Sequence, residues 1–372
     1  MPNIMAGSLG GTVPSHSGCG PEVVSAVINN ACNLSCRHCY LQAPSRPGYL
    51  SPAEWLRAFD SVLSNLSPSI LCFAGKEPFL NTQSATLVRD TILLRDEVQP
   101  NRRTQIGVIT NGTLIHSHRE SLEQARPDYV DVSVDGLPSS HDLIRGKGAF
   151  GMVAPNLLWL VEILEDRLWL THTILGTNVT ELPQFIAFYN REFGIRNFSL
   201  GLYKDLAHTD STLAMSSSSL AEEIDRALNA LGNVDLASPV RIVMDIDLIH
   251  EEEVDFLKHR GWFGESSKRG TFKWVSKRQF HNGVKLQIQV AGVPVGLWHA
   301  IRITPEGFWL APEDMIHPVQ YEELAVGRLQ DYAFDAQRLY QVGLRSKRLQ
   351  LLLSQSESSD VMPLPILSEV HG

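Results

Sequence analysis

Six short apolar runs, each followed by an amphipathic stretch, set the first limit on how this 372-residue chain can fold. The runs are "VVSAVINN" (23–30), "SILCFAG" (69–75), "TQIGVITN" (104–111), "DYVDVSVDG" (128–136), "LWLTHTILG" (168–176) and "RNFSLGLY" (196–203). Their length and apolar content predict strands. "SPAEWLRAFDSVLSNL" predicts a helix that opens on a Ser51–Glu54 capping box, with Pro52 in its first position. "TQSATLVRDTILLRDEV", "MVAPNLLWLVEIL" and "LPQFIAFYNREF" carry apolar residues at helical spacing, and "SLAEEIDRALNAL" adds a helix capped by Ser219 and Glu222. Strands and helices in this alternation predict an α/β chain with a parallel sheet wound through right-handed crossovers. Six such units can form a partial (β/α)6 barrel, whose working loops follow the carboxyl ends of the strands.

From about residue 235 the rhythm changes to "PVRIVMDIDLIHEEEVDFL", then the basic and aromatic "KRGTFKWVSKRQF", then the alternating "VKLQIQVAGVPVGLWHAIRITPEGFWLAPED". The last stretch reads as antiparallel hairpins, with Pro305-Glu306-Gly307 as a turn. The chain thus divides into an N-terminal extension (1–22), a barrel (23–232), a small α+β C-terminal unit (233–350) and a polar tail (351–372). The 41 acidic against 32 basic residues give a net charge of -9, which argues against nucleic acid or an anionic membrane as partner. The first 22 residues have neither a basic start nor an apolar run, so the reading is a cytoplasmic protein.

In a reducing compartment, five cysteines with three of them inside "ACNLSCRHCYLQ" (31–42) point to metal or catalytic work, not to disulfides. Cys32, Cys36 and Cys39 follow the spacing C-x3-C-x2-C and come directly after the first strand. Structural zinc takes four ligands, mostly built from C-x2-C pairs, so a lone triplet fits it poorly. A [4Fe-4S] cluster takes four thiolates, one per iron. Three leave one iron open to a cofactor or substrate. A zinc knuckle or three unrelated thiols is the competing reading.

The cysteine loop resembles the signature of the radical S-adenosylmethionine (radical SAM) superfamily, in which the amino and carboxylate groups of the cofactor chelate the open iron. That resemblance implies a single [4Fe-4S] cluster at Cys32, Cys36 and Cys39 as the metal site, a TIM-like partial barrel, and hydrogen abstraction by a 5'-deoxyadenosyl radical. His38 stands where relatives carry an aromatic residue against adenine; packing of the loop is the alternative. "FAGKEPFL" (73–80) resembles the Gly-Gly-Glu-Pro motif that meets the methionyl ammonium, with Ala74, Gly75 and Glu77 in the matching places. Lys76 departs from that motif and is expected to point away. "ITNGTLI" (109–115) matches a Thr-Asn-Gly element through Asn111, although a turn alone accounts for Asn-Gly. "VSVDGLPSSHDLIRGKGAF" (132–150) resembles the SPASM/twitch-like branch, which includes the anaerobic sulfatase-maturing enzymes and peptide maturases. There Ser133 corresponds to a ribose or methionyl contact and Arg145 to the residue on the cofactor carboxylate, while Asp135 and Asp142 brace the loop. Leu200 and Leu202 stand at a position of apolar contact with adenine.

"IRITPEGFWLAPEDMIHPVQYEELAVGRLQDYAF" (301–334) resembles the branch's C-terminal extension, with Ala311 near an expected cysteine and Gly327-Arg328-Leu329 in place of Gly-Asn-Leu. No cysteine follows Cys72, so the auxiliary clusters of that branch lack ligands here, and a redox-neutral or reductive outcome is favoured. Were the outcome epimerisation, Cys72 or Cys19 could donate hydrogen; a buried strand residue and a loop thiol are their ordinary readings. Only 31 residues precede Cys32, few for a leader-binding module. The reading therefore leans to biosynthesis of a small specialised metabolite, with peptide maturation as the runner-up and a non-catalytic metal-binding scaffold as the third possibility. A one-electron donor such as flavodoxin or ferredoxin is implied. Candidate substrate contacts are Tyr203, Lys204, Trp298, His299 and Trp309.

Overall fold

The computed structural model describes residues 21–39, 41, 49–203, 210–247, 250–263, 272–291, 300–310 and 325–344. Cys19, Lys204, Trp298, His299 and Ala311, and the polar tail, lie outside the described residues. The strands are β1 Val23–Ala26, β2 Ile70–Phe73, β3 Gln105–Thr110, β4 Tyr129–Ser133, β5 Leu168–Ile174, β6 Asn197–Leu202, β7 Val240–Ile246, β8 Phe272–Gln279, β9 Val284–Ala291, β10 Ala300–Ile303, β11 Phe308–Leu310 and β12 Gly327–Arg328. The helices are α1 Pro52–Ser61, α2 Thr82–Val98, α3 Arg119–Gln124, α4 Pro138–Arg145, α5 Ala149–Leu164, α6 Leu182–Phe193, α7 Ser217–Ala230, α8 Glu251–His259 and α9 Ala336–Leu344.

All twelve strands join one sheet in the order β12-β11-β10-β1-β2-β3-β4-β5-β6-β7-β9-β8. The six expected strands pair in parallel and in chain order, as five crossovers of one hand between them require. The sheet crosses residue 232 without a break, since β7 pairs in parallel with β6 and β9 with β7. On the other side β10 pairs in parallel with β1, and its turn at Pro305-Glu306-Gly307 leads into antiparallel β11. The alternating C-terminal stretch therefore is not one hairpin series: β9 and β10 sit on opposite flanks of the sheet. Local alternation cannot say which distant strand will be the neighbour.

The helix starts follow their caps. Ser51 accepts from the Glu54 amide while the Glu54 carboxylate accepts from the Ser51 amide, closing the expected box ahead of Pro52. α7 starts a turn earlier than expected: Ser216 is its cap, accepting from the Ser219 amide, and Ser219 and Glu222 lie inside the helix. A run of four serines offers several competing caps, and the first of them takes the role.

The sheet has two unlike faces. Leu71, Phe73, Ile106, Val108, Val130, Val132, Leu170, Phe198, Leu200, Ile242 and Met244 pack with the helices in the main core. The opposite face forms a separate small apolar cluster of strand residues, Val23, Ile70, Cys72, Ala74, Ile109, Tyr129, Trp169, Val243 and Ala300, with no helix among them. Ser25, Asp131, Thr171 and Ser199 share that face by register and are nonetheless 0–4% exposed. A sheet that curls as a partial barrel buries its own inner face in this way. No single helix among the described residues is long and apolar enough to cross a membrane.

Candidate active site

Parallel strands bring the loops after β1 to β4 to one end of the barrel, and hydrogen bonds there tie them together. The cysteine loop leaves β1 through Asn29, whose amide donates to the Glu77 carbonyl at 2.9 Å, and the Glu77 amide donates to Ala31 at 3.2 Å. Asn30 donates to Glu306 Oε1 at 2.8 Å, which fixes the same loop to the β10–β11 turn. Lys76 turns toward the far end of the loop, where Nζ donates to the Leu41 carbonyl. Gly75 has φ 122°, and a Cβ there would lie 2.9 Å from both Val27 methyls, so only glycine lets the β2 loop pass this close to β1.

Glu77 is 1% exposed and its carboxylate faces inward. Oε1 accepts from the Phe79 amide (2.9 Å) and the Thr110 hydroxyl (2.7 Å), and Oε2 accepts from the Asn111 amide (2.8 Å). Burial raises its carboxyl against the opposing pull of those donors. Glu77 thus locks the end of β3 to the loop after β2. Asn111 extends the lock: its Nδ2 donates to Asn33 at 2.9 Å and lies 3.6 Å from the Cys32 sulfur. The Leu34 amide lies 3.4 Å from the same sulfur.

The other flank of the cysteine loop rests on α4, a helix that begins on Pro138 and stops at Gly146, φ 120°. The Arg37 amide donates to the Ile144 carbonyl at 2.9 Å, and Arg145 occupies the last helical turn. Arg145 Nε donates to Asp135 Oδ2 at 2.6 Å, and His38 Nε2 lies 3.4 Å from the same oxygen. Asp135 Oδ1 accepts from the Thr173 amide at 2.9 Å. Burial alone would raise the Asp135 carboxyl; Arg145, His38 and His172 overcome it and hold it well below the usual carboxylate range. Two further histidines pack at this carboxylate, His141 accepting from the Asp135 amide and His172 beside the Val134 carbonyl, both lowered to about 4 by burial. Asp142 accepts from Gly148 and Phe150 at the start of α5.

The structure therefore brings together Cys32, Asn111 and Glu77 on one side of the loop and Cys36, His38 and Arg145 on the other. Ala74 and Ser133 lie on the inner face beside them. Leu200 and Leu202 do not join this group: both are buried in the helix-side core. Trp309 is also buried there, and Tyr203 packs against Ile144, Leu175 and Leu213. Cys72 is fully buried, with its thiol pushed up to about 12 by burial. Sequence reasoning passed over Asn29, Asn30, Asn33, His141 and His172. Three asparagines within five residues of a cysteine motif are a usable signal, because such side chains fasten loops; two lone histidines offered none.

The thiols fit an iron-sulfur cluster better than a single metal ion. Among the described residues no three His, Cys, Asp or Glu side chains converge as ligands of one ion do. A cubane asks for one thiolate per iron, spread around a larger body. N–H groups beside the Cys32 sulfur and a guanidinium whose charge acts on Cys36 and Cys39 suit anionic sulfur. Burial pushes the Cys36 thiol up to about 11, with Arg145 opposing, and raises Cys32 as well.

The Radical SAM superfamily matches residues 26–189, from the end of β1 through most of α6. Residues 26–189 are thus similar to that superfamily of enzymes. The chain is similar to the Fe-coproporphyrin III synthase of Methanosarcina barkeri, 33% identical over 162 residues covering 42% of this chain and 38% of that protein. It is similar also to the antilisterial bacteriocin subtilosin biosynthesis protein AlbA of Bacillus subtilis, 27% identical over 199 residues covering 49% and 40%. The aligned segment thus covers about two fifths of each relative's length. Among solved structures, native anSMEcpe with bound AdoMet superposes with a TM-score of 0.61 at 16% identity, over 90% of this chain and 84% of that one. Streptococcus suis SuiB bound to precursor peptide SuiA gives 0.58 at 15% identity, over 88% and 67%. These two likenesses concern the fold.

Proposed function

We propose that Cys32, Cys36 and Cys39 hold one [4Fe-4S] cluster and leave its fourth iron to S-adenosylmethionine. When bound, this pair supplies one-electron cleavage of the sulfonium and a 5'-deoxyadenosyl radical that takes hydrogen from a substrate carbon. The observation that carries this reading is the double anchoring of the cysteine loop, by Asn111 near Cys32 and by α4 near Cys36. Such anchoring at both flanks suits a fixed spacing of the three sulfurs. Asp135 takes Nε of Arg145 and so orients the guanidinium, whose other nitrogens suit the methionyl carboxylate. Backbone around Ala74 and Gly75, held by inward-facing Glu77, suits the ammonium, with Ser133 on the ribose side. His38 serves the adenine side as an edge fixed by Asp135.

The chain's sequence has five cysteines, which leaves no second set of four thiolates for an auxiliary cluster. This favours a redox-neutral or reductive outcome on a small specialised metabolite. Peptide maturation is the second reading, and the similarity to AlbA together with the SuiB-like fold favours it. Anaerobic reconstitution should load about four irons per chain, and Cys36→Ala should lose them; eight irons would overturn the single cluster. With cofactor and a strong reductant, or a flavodoxin or ferredoxin donor, the protein should release 5'-deoxyadenosine. Its failure to do so in the iron-loaded state would leave the scaffold reading in place. A precursor peptide that becomes modified under these conditions would decide for the second reading.

A further inference from the structure

The inner face of the barrel holds a cation that the cysteine loop does not use. Arg302 of β10 is 1% exposed, and its Nε and Nη1 have no hydrogen-bond partner in the protein. Among the described residues no carboxylate forms an ion pair with it. In register, Arg302 lies opposite Ser25, Ser25 opposite Cys72, Cys72 opposite Gly107 and Gly107 opposite Tyr129. Neighbouring strands are about 4.8 Å apart, so an arginine side chain spans this row past Ser25. Its charge acts on Cys72, two strands away. From the other side the Tyr129 ring lies over Gly107, where a Cβ would sit 1.9 Å from Cζ, and its hydroxyl lies beside the Cys72 thiol. Ser25, also 1% exposed, has an unpartnered hydroxyl.

Two guanidinium nitrogens along the row are left without an acceptor, and the two unpartnered hydroxyls of the row can donate as well as accept. Water could satisfy the N–H groups, but it brings no charge, and a guanidinium is charged at every pH a protein survives. Burying that charge without a counter-ion is costly. Among the described residues no neighbour supplies one. Burial keeps Cys72 and Tyr129 neutral and raises the Asp131 carboxyl to about 7.

We propose that Arg302, with the hydroxyls of Ser25 and Tyr129, is a binding site for a small oxyanion, a carboxylate or a phosphate group, inside the barrel below the cysteine loop. Asp131, Thr171 and Ser199, buried on the facing strands with unpartnered oxygens, offer polar contacts to the rest of the molecule that bears it. That the oxyanion belongs to a substrate rests on the radical reading above; the binding itself does not.

Thermal melts of the full-length, iron-reconstituted protein in sodium acetate or sodium phosphate, at constant ionic strength, test the site. One of the two anions should raise the melting temperature with saturation, acetate marking a carboxylate site and phosphate a phosphate site. Arg302→Met should weaken that binding about tenfold or more, the factor for losing a charge-assisted hydrogen bond. Without anion the same variant should melt at or above the wild-type temperature, because an unpaired buried charge has been removed. Ser25→Ala should weaken binding with the melt in plain buffer unchanged. A saturable effect absent with both anions, or unaltered by Arg302→Met, overturns the site. So does an Arg302→Met protein that melts well below wild type or fails to fold, since that makes the guanidinium structural. Release of 5'-deoxyadenosine without substrate reports on the radical reading separately, so each can fail alone.

Discussion

The two faces of the sheet come from the same strands and treat polar groups in opposite ways. On the helix side, β4, β5 and β6 contribute Val130, Val132, Leu170, Phe198 and Leu200, with the buried His172 ring tilted against Phe185 as a polar intruder. On the inner side the same strands contribute Asp131, Ser133, Thr171 and Ser199. The strand alternation that makes the first face a core makes the second a lining, at no cost in pairing. The main apolar core lies on one face, and buried polar side chains gather on the other. At the barrel's mouth the two meet, where Asp135 and Glu77 carry the hydrogen bonds that tie the loops together.

Four substitutions would sharpen or break this contrast, each measured by urea unfolding. Phe198→Ala empties a fully buried helix-side position and should cost about 3–5 kcal/mol; a much smaller loss would mean the helix side is not the stabilising core. Asp135→Asn leaves the Arg145 charge buried without its carboxylate and should cost about 3 kcal/mol at neutral pH. Because the folded Asp135 carboxyl is held below its ordinary 3.8, its contribution is present above that pH and is lost as pH falls through the lower folded value. The gap between wild type and variant should therefore be flat from pH 7 to pH about 5 and close in stronger acid. Glu77→Gln turns one acceptor into a donor facing protein N–H or O–H groups and should cost about 1–3 kcal/mol. Ser199→Ala, on the lining, should change stability by less than about 0.5 kcal/mol. A loss as large as that of Phe198→Ala would make the inner face a second core.

Much of this was legible in the chain itself. Apolar runs at 69–75, 104–111 and 168–176 became β2, β3 and β5, and "LPQFIAFYNREF" became α6 without a residue's difference. These signals are local, and burial on one face reinforces them. The Ser51 box was legible for the same reason, while four adjacent serines hid the true cap of α7. What could not be read was which partners meet across long separations. Nothing near residue 300 announces that "AIRI" pairs with β1, and nothing near residue 77 says that its carboxylate turns inward to Asn111. The motif placed Glu77 at the right loop; the direction of its side chain came from β3. The arginine inside "AIRI" was nevertheless a visible irregularity, a charge at the centre of a short apolar strand.

The position of β10 beside β1 also bears on how the molecule is made. Asn30 and Glu306, which join these strands' loops, are 276 residues apart. At about 5–20 residues per second on a ribosome, the outer edge of β1 stays open for roughly 15–55 s after it has emerged. An unpaired edge of four buried residues is a template for wrong partners. Premature capture of that edge would also strand the cysteine loop, whose anchorage at Glu306 has to wait for the chain's last quarter.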